Sequence, residues 1–166
     1  MNYAIWDIDN CLADDEWRIP FIDWRTPDLN ARYRPYHERA RHDNPANVAR
    51  FKAETFLGEL QAVFFTARSE EFRLETHNWL RRHLGVAVPI VLMREVSSFV
   101  PSVPLKREML FKFRAQLNPG RKIVKAFDDR EDICAMYEAE GIKATVLKIH
   151  DTCPYTNPKT QEKTNA

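Results

Sequence analysis

Residues 2–10, Asn2-Tyr3-Ala4-Ile5-Trp6-Asp7-Ile8-Asp9-Asn10, decide how the rest of the chain is read. The apolar run Tyr3 to Trp6 reads as the core of a strand spanning Asn2 to Ile8. Two carboxylates, Asp7 and Asp9, sit one residue apart at its C-terminal end. In a parallel α/β sheet that end borders the crevice where ligands bind. Two acids so close repel each other unless a cation or a shared proton intervenes. The pair points to a hard metal, a proton-transfer couple, or both. A solvated acidic turn is the competing reading of the pair on its own.

The apolar pattern that follows alternates strand and helix. Gln61 to Thr66 is a continuous apolar run closing on a hydroxyl, as expected of a strand buried on both faces. Pro89 to Met93, Lys122 to Phe127 and Ala144 to Ile149 read as three further strands. Between them, Ser69 caps a predicted helix that runs to Leu84. Its face is Phe72, Thr76, Trp79, Leu80, His83 and Leu84, and Gly85 suits the position just past its end. Further helices are predicted over 105–117 and 131–140. Asn44-Pro45 reads as a helix start, with Asn44 as cap and Pro45 in the first turn, the helix ending near Gly58. Alternating strands and helices imply a parallel sheet with right-handed crossovers. The expected fold class is therefore α/β: a Rossmann-like parallel sheet of about five strands flanked by helices.

One segment departs from that rhythm. Residues 14–44 are rich in proline, aspartate, arginine and aromatics, and read as an irregular cap insertion lying over the end of the first strand. Trp17, Trp24, Tyr33 and Tyr36 are candidates either for stacking on a base or for the insertion's own core. At the other end, 151–166 is polar and contains proline, and reads as a loosely ordered tail after a domain spanning 1–150.

The composition excludes several classes. With 44% hydrophobic and 30% charged residues in 166, the chain is an ordinary globular sequence long enough for one domain. A formal net charge of +1 gives no global field to draw it to nucleic acid or to a membrane. The three cysteines, Cys11, Cys134 and Cys153, are widely spaced and form no C-x-x-C. That argues against a disulfide framework or a structural zinc site and for a reducing, cytoplasmic location. No apolar run reaches the length of a membrane span. The five histidines show no metal-ligand spacing.

Polar groups close four of the predicted elements: Asp7 and Asp9, then Thr66-Ala67-Arg68, then Lys106 near the start of the helix after the third strand, then Asp128-Asp129-Arg130. Strand C-termini meet at one edge of a parallel sheet, so these groups can converge. Carboxylates, a hydroxyl and a fixed cation suit a phosphoryl group beside Mg²⁺.

In that order the four motifs resemble those of the haloacid dehalogenase-like (HAD) phosphohydrolases: D-x-D, Ser/Thr after a strand, Lys, and an acidic pair after a later strand. The resemblance covers roughly residues 2–150. It implies that Asp7 is the nucleophile that becomes an aspartyl-phosphate. It implies that Asp9 is the general acid and then the general base. Thr66, Lys106, Ala67 and Asn10 would bind phosphate. Mg²⁺ would be held by Asp7, the backbone carbonyl of Asp9, and one of Asp128 and Asp129. Within the family the chain is most similar to the 3′-phosphatase domain of phage-type polynucleotide kinases, through Thr66-Ala67-Arg68, Phe127-Asp128-Asp129-Arg130 and Arg18.

Three residues follow as candidate substrate contacts, Arg18, Arg68 and Arg94. The alternative for Arg68 is a salt bridge to Asp7 or Asp129, and for Arg18 and Arg94 a solvated surface charge. The implied activity is a Mg²⁺-dependent phosphomonoesterase acting on a phosphorylated small molecule, such as a nucleotide, or on a nucleic-acid 3′-phosphate end. Phosphotransfer to an acceptor other than water, or phosphate binding without catalysis, are the competing readings. Departures from the pattern are Asn10-Cys11 where the family commonly has Gly-Thr, Ser102 where the phosphatase group has Asp, and the lack of any G-x-x-x-x-G-K-[ST] kinase motif. Asn tolerates the left-handed backbone that Gly would supply. Cys11 reads as a packed spectator thiol.

Overall fold

Along the strand Asn2–Trp6 (β1), successive side chains point to opposite faces of the sheet. Ala4 and Trp6 enter one apolar cluster with Phe51, Phe64, Trp79 and Leu80. Ile5 enters another with Val63, Phe65, Leu105, Met109 and Ile133. Both faces of β1 are therefore covered, which is why its sequence is apolar throughout and does not alternate. Trp6 lies flat on Phe127, ring centroids 3.9 Å apart and 12° from parallel. Such a pair contributes about 1 kcal/mol beyond its buried area. It also fixes β1 against the strand that carries the later acidic pair.

The computed structural model describes residues 1–151. After β1 come β2 (Ala13–Asp14), α1 (Leu29–Glu38), β3 (Asn44–Pro45), α2 (Val48–Lys52), β4 (Leu60–Ser69), α3 (Arg73–Leu84) and β5 (Ile90–Arg94). Then follow α4 (Ser102–Ala115), β6 (Ile123–Asp128), α5 (Glu131–Ala139) and β7 (Lys143–Val146). The main sheet has five strands in the order β5-β4-β1-β6-β7, all parallel. The chain moves outward from β1 through β4 to β5, then returns to the other side of β1 for β6 and β7. The order reverses between β1 and β6, and crevices form at such a switch point. No helix among the described residues is long and apolar enough to cross a membrane.

The α/β sheet of five strands is as the sequence predicts, but several local expectations are corrected. The insertion is more ordered than its composition suggests. It holds α1, and its β2 pairs antiparallel with β3 to clamp its two ends together. Asp28 caps α1, accepting from the Ala31 amide at 2.7 Å, and the helix runs through Pro35. Proline removes one helical donor, so a sequence rule breaks the helix there; the packing of Tyr36 into the interior overrides that rule.

Asn44-Pro45 is not a helix start but β3, and α2 begins three residues after Pro45, following Asn47 in the left-handed region (φ 51°). Ser69 ends β4 and makes no side-chain cap; a 3-10 turn, Glu70–Phe72, precedes α3. The helix predicted from Leu105 begins at Ser102. Pro104 falls in its first turn, where amides have no helical acceptor to lose. The last strand ends at Val146, short of Ile149. The tail expected over 151–166, with Cys153, lies outside the described residues apart from Asp151.

Candidate active site

Pairing of β1 with β6 places the first acid of the D-x-D motif beside the late acidic pair. The Asp7 amide donates to the Phe127 carbonyl at 2.9 Å, so Asp7 and Asp128 leave adjacent strands at the same level. Ligand atoms of Asp7, Asp128 and Asp129 all lie within 4.8 Å of one another. Lys106 enters from the first turns of α4. Its ammonium donates to Asp7 Oδ1 and to Asp128 Oδ2, each at 2.6 Å, and it is almost fully buried.

Three carboxylates share this one ammonium, which leaves the group with excess negative charge in a poorly solvated place. The titrations reflect it. Burial raises the Asp7 carboxyl well above its usual range, with Asp128 and Asp129 adding to the effect against Lys106. Burial, reinforced by Asp128, pushes Asp129 up to about 6. Burial disfavours the charge on Lys106, but Asp128 and Asp7 outweigh it and hold the ammonium well above its ordinary pKa. A hard divalent cation with oxygen ligands would relieve the repulsion, and this all-carboxylate donor set fits Mg²⁺.

Asp9 is turned away from that cluster. Its Oδ1 accepts from Arg18 Nη2 at 2.5 Å and from Arg68 Nη2 at 2.5 Å. Both guanidinium groups also reach Asp43. Arg18 Nε donates to Asp43 Oδ1 at 2.8 Å and Arg68 Nη2 to Asp43 Oδ2 at 3.2 Å. Arg18 also lies over the Tyr36 ring, 3.9 Å from its centroid. All four charged groups are buried, and two cations balance two anions. Burial alone would raise Asp9, but Arg18 and Arg68 outweigh it and hold its carboxyl well below the usual carboxylate range. In this arrangement Asp9 is a carboxylate whose affinity for a proton is low.

Several sequence expectations change here. Arg18 is not a surface charge; it is fully buried. Arg68 forms a salt bridge, but to Asp9 and Asp43 rather than to Asp7 or Asp129. The guanidinium groups of both are taken up by carboxylates, which makes them holders of Asp9 and not the direct substrate contacts expected of them. Arg94 stands further out, donating to the carbonyls of Ala67 at 3.2 Å and Val100 at 2.5 Å. The Asp9 carboxylate does not join the acids that could hold a metal.

Asp43 was missed. It lies at the end of the insertion, in a stretch whose composition announces only turns. Trp17 Nε1 donates to its carboxylate at 3.0 Å and Trp79 Nε1 to its carbonyl at 2.8 Å, so insertion and α3 both position it. A charge count offered the one available signal: two arginines brought to a buried Asp9 require a second acid.

The turn after the motif forms as expected of Asn in place of Gly: Asn10 is left-handed, φ 55°. Its side chain donates to Asp129 Oδ2 at 3.2 Å and accepts from the His150 amide at 2.9 Å, tying the end of the described chain over the site. His150 in turn contacts Asp14 Oδ1 at 2.9 Å. Cys11 is fully buried, and burial pushes its thiol well up, as fits a spectator. Thr66 is buried, and its Oγ1 accepts from the Arg68 amide at 3.2 Å. Asp7, Asp9, Asn10, Thr66, Ala67 and Lys106 line one small cavity of about 10 Å³, room for a water or an ion.

No family model matches the chain, and no curated protein matches it. Solved structures do. One chain of the Pnkp1/Rnl/Hen1 complex superposes with a TM-score of 0.64 at 17% identity, over 91% of this chain and 47% of its own length. This chain thus spans about half the length of that neighbour. A beta-phosphoglucomutase from Thermotoga maritima, so described, gives 0.51 at 17% identity over 93% of this chain and 89% of its own. A hydrolase from Streptococcus pneumoniae TIGR4 gives 0.50 at 14% identity, over 99% of both chains. These likenesses show that the chain shares its α/β fold with those proteins.

Proposed function

We propose that this chain is a Mg²⁺-dependent phosphomonoesterase that works through an aspartyl-phosphate on Asp7 and acts on a nucleotide or a nucleic-acid 3′-phosphate. The observation that carries the reading is the meeting of Asp7, Asp128 and Asp129 around the Lys106 ammonium at the switch point of the sheet. Asp7, Asp128 and Asp129 would hold Mg²⁺, with the Asp9 carbonyl as the main-chain ligand that the family resemblance implies. Bound there, Mg²⁺ would supply positive charge to the phosphate oxygens.

Asp7 attacks phosphorus: a bond forms from its carboxylate oxygen as the ester P–O bond breaks, and the alcohol leaves with a proton from Asp9. Water then attacks the same phosphorus and gives a proton back to Asp9, releasing inorganic phosphate and restoring Asp7. Both halves pass through a protonated Asp9, the form that Arg18 and Arg68 disfavour. Lys106 and Thr66 take the remaining phosphate oxygens. A nucleotide or nucleic-acid end is supported by the likeness to a chain of the Pnkp1/Rnl/Hen1 complex. The reducing location expected from the free cysteines is part of the same reading.

An aryl phosphate assay tests it. The native chain with Mg²⁺ hydrolyses the ester, a chelator stops it, and Asp7→Asn leaves no turnover. An active Asp7→Asn protein would overturn the assignment of the nucleophile.

A further inference from the structure

Beside the small catalytic cavity lies a larger one of about 450 Å³, and the two share Ala67, Ser102 and Arg130 in their walls. We propose that this second cavity seats the leaving group of the ester, and that the group it fits is a single nucleoside. The proposal rests on the phosphomonoesterase reading and names its substrate class.

Two segments build the apolar part of the wall. Leu29 and Tyr33 come from α1, and Phe99 and Val100 from the loop between β5 and α4. Phe99 is 53% exposed, and Leu29 and Val100 are each 37% exposed. Exposed apolar side chains gathered around one hollow favour an apolar, flat occupant. Tyr33 and Phe99 supply rings on which a base can stack. Of the four insertion aromatics considered from sequence, Tyr33 is the one that lines this cavity. Arg94 bridges the Ala67 and Val100 carbonyls and so ties the loop to the end of β4, beside Thr66. The His37 ring also lines the cavity, and its Nδ1 is buried with no hydrogen-bond partner among the described residues.

Charge and size narrow the occupant further. The wall holds two cations, Arg94 and Arg130, and two anions, Glu71 and Asp132. Arg130 donates to both oxygens of Asp132, and Glu71 is ion-paired with Arg34. Two cations and two anions line the wall, so it is not the basic track that a polynucleotide, with a phosphate at every residue, calls for. The volume falls in the lower part of the roughly 300–1,000 Å³ range of small-molecule sites, enough for one nucleoside and short for a strand.

Steady-state kinetics with Mg²⁺ on nucleoside 3′- and 5′-monophosphates, glycerol phosphate and a 3′-phosphorylated oligonucleotide test the proposal. In the native protein kcat/KM for a nucleoside monophosphate exceeds that for glycerol phosphate by about a hundredfold, two stacked rings each contributing about tenfold. That ratio falls about tenfold in Phe99→Ala and in Tyr33→Ala, through KM, and Phe99→Tyr restores it. A native ratio near one, a ratio that neither substitution moves, or a preference for the oligonucleotide overturns the proposal. If no ester is turned over, equilibrium binding of the nucleoside monophosphate separates the two failures. Binding that Phe99→Ala weakens keeps the nucleoside site and rejects the phosphatase reading; no binding rejects the site.

Discussion

Asp7 and Asp9 leave the same strand end with one residue between them, yet their surroundings are opposite. Around Asp7, three carboxylates gather beside one ammonium, and the group carries a formal excess of two negative charges. Around Asp9, two carboxylates meet two guanidinium groups and the charges cancel. The first set comes wholly from the sheet edge and α4. The second is built largely by the insertion, which contributes Arg18 and Asp43. The lesson is that the sheet makes a site that calls for a cation, and the insertion removes Asp9 from it. In the proposed reaction one acid serves metal and attack, the other proton transfer.

The comparison can be broken at Asp9 first. Asp9→Asn keeps the shape and loses the titratable group, so kcat should fall by roughly 10²–10⁴ while KM stays within about threefold. The loss should be smaller with an aryl ester, whose leaving group needs no proton, than with an alkyl ester. Equal loss on both esters would mean that Asp9 does not serve the leaving group.

Arg68→Ala tests the self-balanced half as structure. It leaves Asp9 and Asp43 buried with one cation between them, and should cost about 3–5 kcal/mol in urea unfolding. Arg68→Lys should recover only part of that, because an ammonium lacks the fork that meets two carboxylates at once. An unfolding midpoint unchanged in Arg68→Ala would show the cluster to be energetically idle.

A smaller effect concerns His37, which faces the insertion's side of the site. Burial, with Arg18, Arg68 and Arg94 nearby, pushes its pKa down to about 3, against the pull of Asp9. A histidine depressed in the folded state contributes stability that is present above pH 6.5 and lost progressively as pH falls toward 3. At pH 5 that loss amounts to about 1–2 kcal/mol. His37→Gln should show a correspondingly shallower acid limb in thermal unfolding between pH 6.5 and 4; identical limbs would show that His37 charges freely in the folded chain.

How far this contrast was legible in the sequence differs for its two halves. Strand periodicity and the apolar run before each polar end located Asp7, Thr66 and Asp128, and the helix after β5 located Lys106. These are local signals, readable within ten residues of the group concerned. The self-balanced half depends on contacts across 25 and 59 residues, Arg18 to Asp43 and Arg68 to Asp9. No local pattern encodes them. Pro35 inside α1 and Asn44-Pro45 in β3 misled because tertiary packing outweighs single-residue propensities there. Asn10 was legible for its turn but not for its second role, since its bonds to His150 reach 140 residues along the chain.

The unequal division of the two acids is tested most directly by titrating the metal-free chain with Mg²⁺ while following its unfolding. The excess charge around Asp7 predicts stabilisation that grows with Mg²⁺, about 2.7 kcal/mol at a hundred times the dissociation constant. Asp129→Asn, which removes one of the three carboxylates, should need a much higher Mg²⁺ concentration for the same gain. A native chain whose stability ignores Mg²⁺, or an Asp129→Asn chain that responds just as the native does, would contradict the account.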